Sequence, residues 1–152
     1  VPSNLFAENN MIPISEYFKK AFAKSNFGPK DLIYANYRCV ALTQTLMRLM
    51  DDSAMDEFET LIKNNLKIFM NSGFDLYSNI AGDKISDDPW QDFFDNANKH
   101  IIPMQESYFL NAQGDWQNTG DPLEPFLKND FKQCESYKDL IQNSNSRTDI
   151  DE

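Results

Sequence analysis

The chain has 152 residues, 41% of them hydrophobic and 13% aromatic, which suits one domain with one sizeable core and excludes a chain disordered throughout by composition. Against 24 Asp and Glu stand 14 Lys and Arg, and the formal charge of −10 argues against nucleic acid or an anionic membrane surface as partner. No apolar run approaches the roughly 20 residues of a membrane span.

Glycines are few, and apolar residues recur at spacings of three and four rather than two. That periodicity is helical. The expected fold is all-α: a single-domain bundle of four long helices plus a short N-terminal helix. Residues 1–12 are expected to form an N-terminal arm, 13–142 the bundle, and 143–152 a disordered polar tail.

Leu5, Phe6, Met11 and Ile12 offer apolar anchors for the arm. Pro13 opens the first helix, which runs to Lys24 with Tyr17, Phe18, Ala21 and Phe22 inward. Lys19, Lys20 and Lys24 face out as a small solvated basic patch.

The second helix, Asp31 to Met50, holds the longest apolar segment. Leu32, Ala35, Cys39, Leu42, Leu46 and Leu49 form one stripe, and Ile33, Val40 and Met47 run beside it. A face this wide belongs between several neighbours. Arg38, Thr45 and Arg48 are expected on the opposite, polar side. Gly28 and Pro29 mark the start, since proline fits an early helical position. Asp51, Asp52 and Ser53 mark the end and begin the third helix.

That third helix spans Ser53 to Tyr77, with Met55, Phe58, Ile62, Leu66, Phe69, Gly73 and Leu76 inward. Gly73 is a candidate kink or stop. Asn65 lies close to the inner face. Asp88 is placed to cap the fourth helix, with Pro89 as its first residue. This helix runs to Ala112, with Trp90, Phe93, Phe94, Ala97, Ile101, Met104 and Tyr108 inward. Pro103 stands in its middle and is expected to kink it, because proline removes a donor and crowds the carbonyl of Lys99. Residues 113–121 read as a loop by composition. There Trp116 either covers the core edge, the role expected, or stands exposed for a partner. Pro122 starts the last helix, to Gln142, with Leu123, Leu127, Phe131, Cys134, Tyr137, Leu140 and Ile141 inward.

Two cysteines, Cys39 and Cys134, sit 95 residues apart on predicted core faces. A disulfide joining two helices is expected, and with it an oxidising compartment. The chain begins with Val and has no charged-then-apolar leader, and its polar first residues resemble the start of a mature exported protein. Both features point to a periplasmic or secreted location. There is no glycosylation sequon.

Chemistry is sparse. His100 is the single histidine, and the nearby Asp95 and Glu106 are not at helical spacing to it. One histidine and two cysteines cannot complete a four-ligand zinc site. No phosphate loop or dinucleotide fingerprint is present. No cofactor is therefore expected. Acids cluster at the start of the third helix (Asp51, Asp52, Asp56, Glu57, Glu59) and of the fourth (Asp83, Asp87, Asp88, Asp92, Asp95). Neither has calcium-loop spacing, and dipole and capping preferences explain both. The expected function is that of an exported acidic bundle acting by binding or protein interaction, without catalysis. One alternative is a carrier of a small apolar molecule between the second and fourth helices. The other is an enzyme using His100 and nearby carboxylates. Trp116, His100 and Trp90 are the candidate ligand or partner contacts.

Overall fold

The structure, a computed structural model, describes residues 11–50, 52–82 and 87–151. Leu5, Phe6, Asp51 and Asp83 lie outside them. The described residues form five helices and no strand: α1 (Ile14–Ala23), α2 (Pro29–Leu49), α3 (Asp52–Ala81), α4 (Pro89–Thr119) and α5 (Phe126–Asp151). The all-α bundle of four long helices and one short one is thus the observed fold. Among the described residues no helix is long and apolar enough to cross a membrane.

The helix starts follow local rules. Pro29 occupies the first turn of α2, and the Asp31 carboxylate accepts from the Gly28 N–H at 2.9 Å. Asp88 caps α4 by accepting from Gln91 N–H at 3.1 Å, and Pro89 follows it.

Helix α2 packs against all four other helices. It is buried without interruption from Ala35 to Thr43, so the neighbours surround it rather than flank one stripe. This overturns one expectation. Arg38 and Thr45 are not on a solvated side; both are fully buried, and only Arg48 of that trio is exposed. The Thr45 hydroxyl donates to the Ala41 carbonyl at 2.8 Å, which makes its burial inexpensive.

Two helices run on through the residues marked as candidate kinks. Helix α3 runs through Gly73, where an added Cβ would stand 3.2 Å from Cζ of the fully buried Phe93. Glycine is there for close approach of α3 to α4. Helix α4 passes through Pro103 unbroken. Pro103 and Lys99 are both exposed, so the carbonyl that proline leaves without a donor lies where water reaches it.

The ends of two helices differ from expectation. Residues 113–119 continue α4 rather than forming a loop. The stop is Gly120, at φ +77°, whose N–H donates to the Trp116 carbonyl at 2.9 Å. The Asp115 carboxylate then accepts from Phe126 N–H at 3.2 Å, in the first turn of α5. Helix α5 starts at Phe126 rather than Pro122, after Pro125. It continues through residues 143–151, where a disordered tail was expected. No proline or glycine interrupts that stretch, and adding a residue to an existing helix costs little.

Candidate functional site

Two polar clusters lie inside the bundle. In the first, Arg38 of α2 and Asp130 of α5 form an ion pair at 2.5 Å, with both side chains inaccessible to solvent. Tyr108 of α4 donates its hydroxyl to Asp130 Oδ2 at 2.6 Å and accepts from Arg38 Nε at 3.0 Å. Asp130 Oδ1 accepts the Ile14 N–H at 3.0 Å. That donor belongs to the first turn of α1 and has no partner within its own helix. One carboxylate therefore holds three other helices. Burial works against the charge on Arg38, but Tyr108, Tyr34 and Asp130 outweigh it and raise its pKa. Burial likewise pushes the Tyr108 hydroxyl well above the ordinary tyrosine range.

In the second cluster, Lys138 Nζ donates to Asn65 Oδ1 at 3.0 Å and to Glu135 Oε2 at 2.6 Å. Asn65 Nδ2 closes the triangle on Glu135 Oε1 at 2.9 Å. Asn65 is buried, and these partners satisfy it. Sequence reasoning did not single out Asp130, Glu135 or Lys138. The one available signal was their four-residue spacing to Cys134 or Leu127-face positions, which does not separate a buried acid from an exposed one.

Arg38 also reaches outward. Its Nη1 donates to the Tyr34 hydroxyl at 2.9 Å, and Tyr34 faces a cleft of about 420 Å³ between α2 and α4. Tyr34 and Tyr37 of α2 form its floor. Tyr17 of α1 stacks on Tyr34 with ring centres 4.1 Å apart, and donates its hydroxyl to Asp31 at 2.7 Å. Tyr77 and Ile80 of α3 form one wall; Asn96, His100 and Met104 of α4 form the other. His100 lies nearly parallel to Tyr37, with ring centres 5.7 Å apart. The Tyr37 hydroxyl donates to Asn96 Oδ1 at 3.3 Å. Four of the six tyrosines thus meet in one place.

The pKa shifts around the cleft have physical causes. Burial, assisted by Tyr77, pushes the Tyr37 hydroxyl up to about 12. The hydrogen bond from Tyr17, with that from the Gly28 N–H, holds Asp31 below its ordinary value. Tyr17 in turn is raised, first by burial and then by Asp31. A tyrosine with a raised pKa stabilises the fold fully below its unfolded value and loses that contribution as pH rises toward the folded one. Stability should therefore fall above about pH 10, by about 1.4 kcal/mol per pH unit for fully buried Tyr108. An alkaline titration followed by tyrosinate absorbance and circular dichroism checks this. Tyr37 and Tyr108 should ionise together with helix loss. Smooth ionisation of all six tyrosines with helicity intact would contradict it.

The expected contact residues are not brought together. His100 lines the tyrosine cleft, and neither Asp95 nor Glu106 lines it with His100. Trp90 stacks on Phe74 at 4.1 Å and meets Phe93 edge-on at 6.0 Å, yet stays 40% exposed. Trp116, expected to cover the core edge, is instead 59% exposed on the last turns of α4. It borders a separate groove with Leu49, Phe109 and Pro122. A third groove, of about 400 Å³ and largely apolar, lies between the first half of α3 and the turn into α5, where Phe58, Leu61 and Leu123 are partly exposed.

Cys39 of α2 and Cys134 of α5 stand at disulfide distance, with Cα atoms 5.6 Å apart. Of the two acid clusters, Asp51, Asp52 and Asp83 have side chains outside the description. Among the described residues no group of three or more His, Cys, Asp or Glu is arranged to hold a metal ion. Comparison with protein-family models, with curated proteins and with solved structures finds no match to this chain, so its function has to be read from the cleft's own chemistry.

Proposed function

We propose that this is an exported binding protein that holds a small molecule in the tyrosine-lined cleft and makes or breaks no bond in it. The observation that carries this reading is the cleft itself. Its volume of about 420 Å³ falls within the range of small-molecule sites, and its walls come from four helices held by a common core. A site of that size suits a small ligand better than a segment of another protein, which favours the carrier reading over protein interaction. The cleft also lies between α2 and α4. Its four tyrosines and His100 make it amphipathic rather than purely apolar.

Export is supported by the cysteine pair. Disulfides form and persist in oxidising compartments and are rare in the cytosol. A buried pair at 5.6 Å between Cα atoms is what such a bond needs.

An NMR fragment titration on the full chain tests the binding role. Some fragments in a mixed set should shift amide and ring resonances of Tyr17, Tyr34, Tyr37, Tyr77 and His100, and each fragment should be recovered unchanged. Shifts confined to other surfaces would overturn the site. Conversion of a fragment to product would overturn the non-catalytic role.

A further inference from the structure

We infer that the cleft selects a planar aromatic anion, a flat ring bearing a carboxylate; this rests on the binding role proposed above and names its ligand class.

The walls supply the first part. Aromatic faces prefer offset stacking or edge contact with other rings, and Tyr34, Tyr37, Tyr77 and His100 all line one space. An aliphatic chain of equal volume would gain burial but no such geometry.

Hydrogen-bond accounting supplies the second. The Tyr34 hydroxyl accepts from Arg38 Nη1, which leaves its own proton to donate. Asn96 Oδ1 accepts from Tyr37, which leaves the Asn96 amide N–H groups to donate. Lys30 contributes an ammonium at the rim. The Tyr34 hydroxyl, the Asn96 amide and Lys30 are thus available to donate to an anion. Asp31, which bonds the cleft tyrosine Tyr17, commits one oxygen to that hydroxyl and the other to the Gly28 N–H.

Charge supplies the third. The chain carries 24 acidic residues and a formal charge of −10, yet no Asp or Glu lines this cleft. In so acidic a protein, a pocket lined by Lys30 and by no carboxylate departs from the overall charge. Tyrosine clefts can also hold quaternary ammonium groups through their ring faces. Here the ammonium of Lys30 would repel such a ligand.

Four probes separate these terms by isothermal titration calorimetry on the full chain, with the site read by NMR. Benzoate has ring and charge, benzyl alcohol has the ring alone, cyclohexanecarboxylate has the charge without a flat ring, and benzylammonium has the ring with the opposite charge. Benzoate should bind at least about tenfold more tightly than benzyl alcohol or cyclohexanecarboxylate, and benzylammonium most weakly. Lys30→Gln changes an exposed residue and should leave the fold intact, as thermal unfolding will verify. It should weaken benzoate by about tenfold and leave benzyl alcohol unchanged. Trp116→Ala, in another groove, should change neither. Should benzyl alcohol or benzylammonium match benzoate at the cleft, the ligand class is wrong while the binding role stands. Should none of the four shift a cleft resonance, and the mixed fragment set also leave the cleft untouched, both fall.

Discussion

Replacing Asp130 by asparagine should cost about 3–5 kcal/mol of folding stability, because it leaves the Arg38 guanidinium charged and unpaired at zero exposure. The mechanism is the asymmetry of buried ion pairs. Their mutual attraction roughly repays the cost of removing both charges from water, but removing one partner leaves the other's desolvation uncompensated. The same change disturbs two further bonds, from the Tyr108 hydroxyl and from the Ile14 N–H. Domains of this size are stable by about 5–15 kcal/mol, so the loss is a large fraction of the total. Arg38→Met should be comparably harmful, since it leaves the carboxylate alone. The double variant Arg38→Met with Asp130→Leu should recover much of the loss, though not all. It still leaves the α1 N–H and the Tyr108 hydroxyl without their acceptor, each worth about 1–3 kcal/mol when buried. Urea unfolding of wild type and these three variants measures the four stabilities. An Asp130→Asn protein within about 1 kcal/mol of wild type would show that the pair carries no such role. Because Arg38 also positions Tyr34, Arg38→Met should in addition weaken ligand binding at the cleft, even at temperatures where the variant is folded.

Replacing Cys39 and Cys134 by serine should cost about 2–5 kcal/mol. The bond would close a loop of 95 residues, and for a loop of about 100 the chain-entropy model assigns up to about 4.7 kcal/mol. Helices α3 and α4 lie wholly inside that loop, so the reduced unfolded chain gains most of its freedom there. At about 2–4 °C per kcal/mol, the midpoint of thermal unfolding should fall by roughly 5–20 °C. The same fall should follow reduction of the wild-type protein. Both cysteines are almost fully buried, so reduction should be slow in native buffer and fast in denaturant. Mass measurement before and after alkylation, without reductant, reads the bond directly. Protein freshly prepared from its native source should take up no alkyl groups. Two alkylated thiols there would remove both the bond and the main support for export.

The two cysteines and the buried ion pair show what local sequence carries and what it does not. Both cysteines fall at apolar positions of helical stripes. With only two in the chain, the pairing had one candidate, and that pair now stands at disulfide distance. Arg38 fell on what local periodicity marks as a polar side. A charged residue on a helix has the same local signature whether water or a carboxylate waits outside. The partner here is 92 residues away, so nothing near Arg38 announces it.

The helices themselves and their starts at Gly28–Pro29 and Asp88–Pro89 depend on neighbours within a few residues, and such patterns survive in a linear string. Helix ends were harder. Gly114 and Gly120 both fall in the stretch that composition marks as a loop. What separates them is backbone: Gly120 takes φ +77°, while Gly114 stays helical facing open space. Phe22 and Leu140 sat on apolar stripes but are 62% and 64% exposed. A stripe says which side could be buried, and only neighbouring helices determine how far along it burial reaches.

The cleft is the clearest case of tertiary decision. Tyr34 and Tyr37 are three residues apart, so the sequence alone places them on one side of α2. That Tyr17, Tyr77 and His100 arrive at the same space depends on how α1, α3 and α4 cross α2. Those crossings are set by the packing of side chains far apart in sequence, among them Phe93 against Gly73 and Asp130 against Ile14 and Arg38. Local spacing determines which residues a helix can offer on one face; the meeting of faces from different helices is a property of the packed core, where each contact depends on all the others.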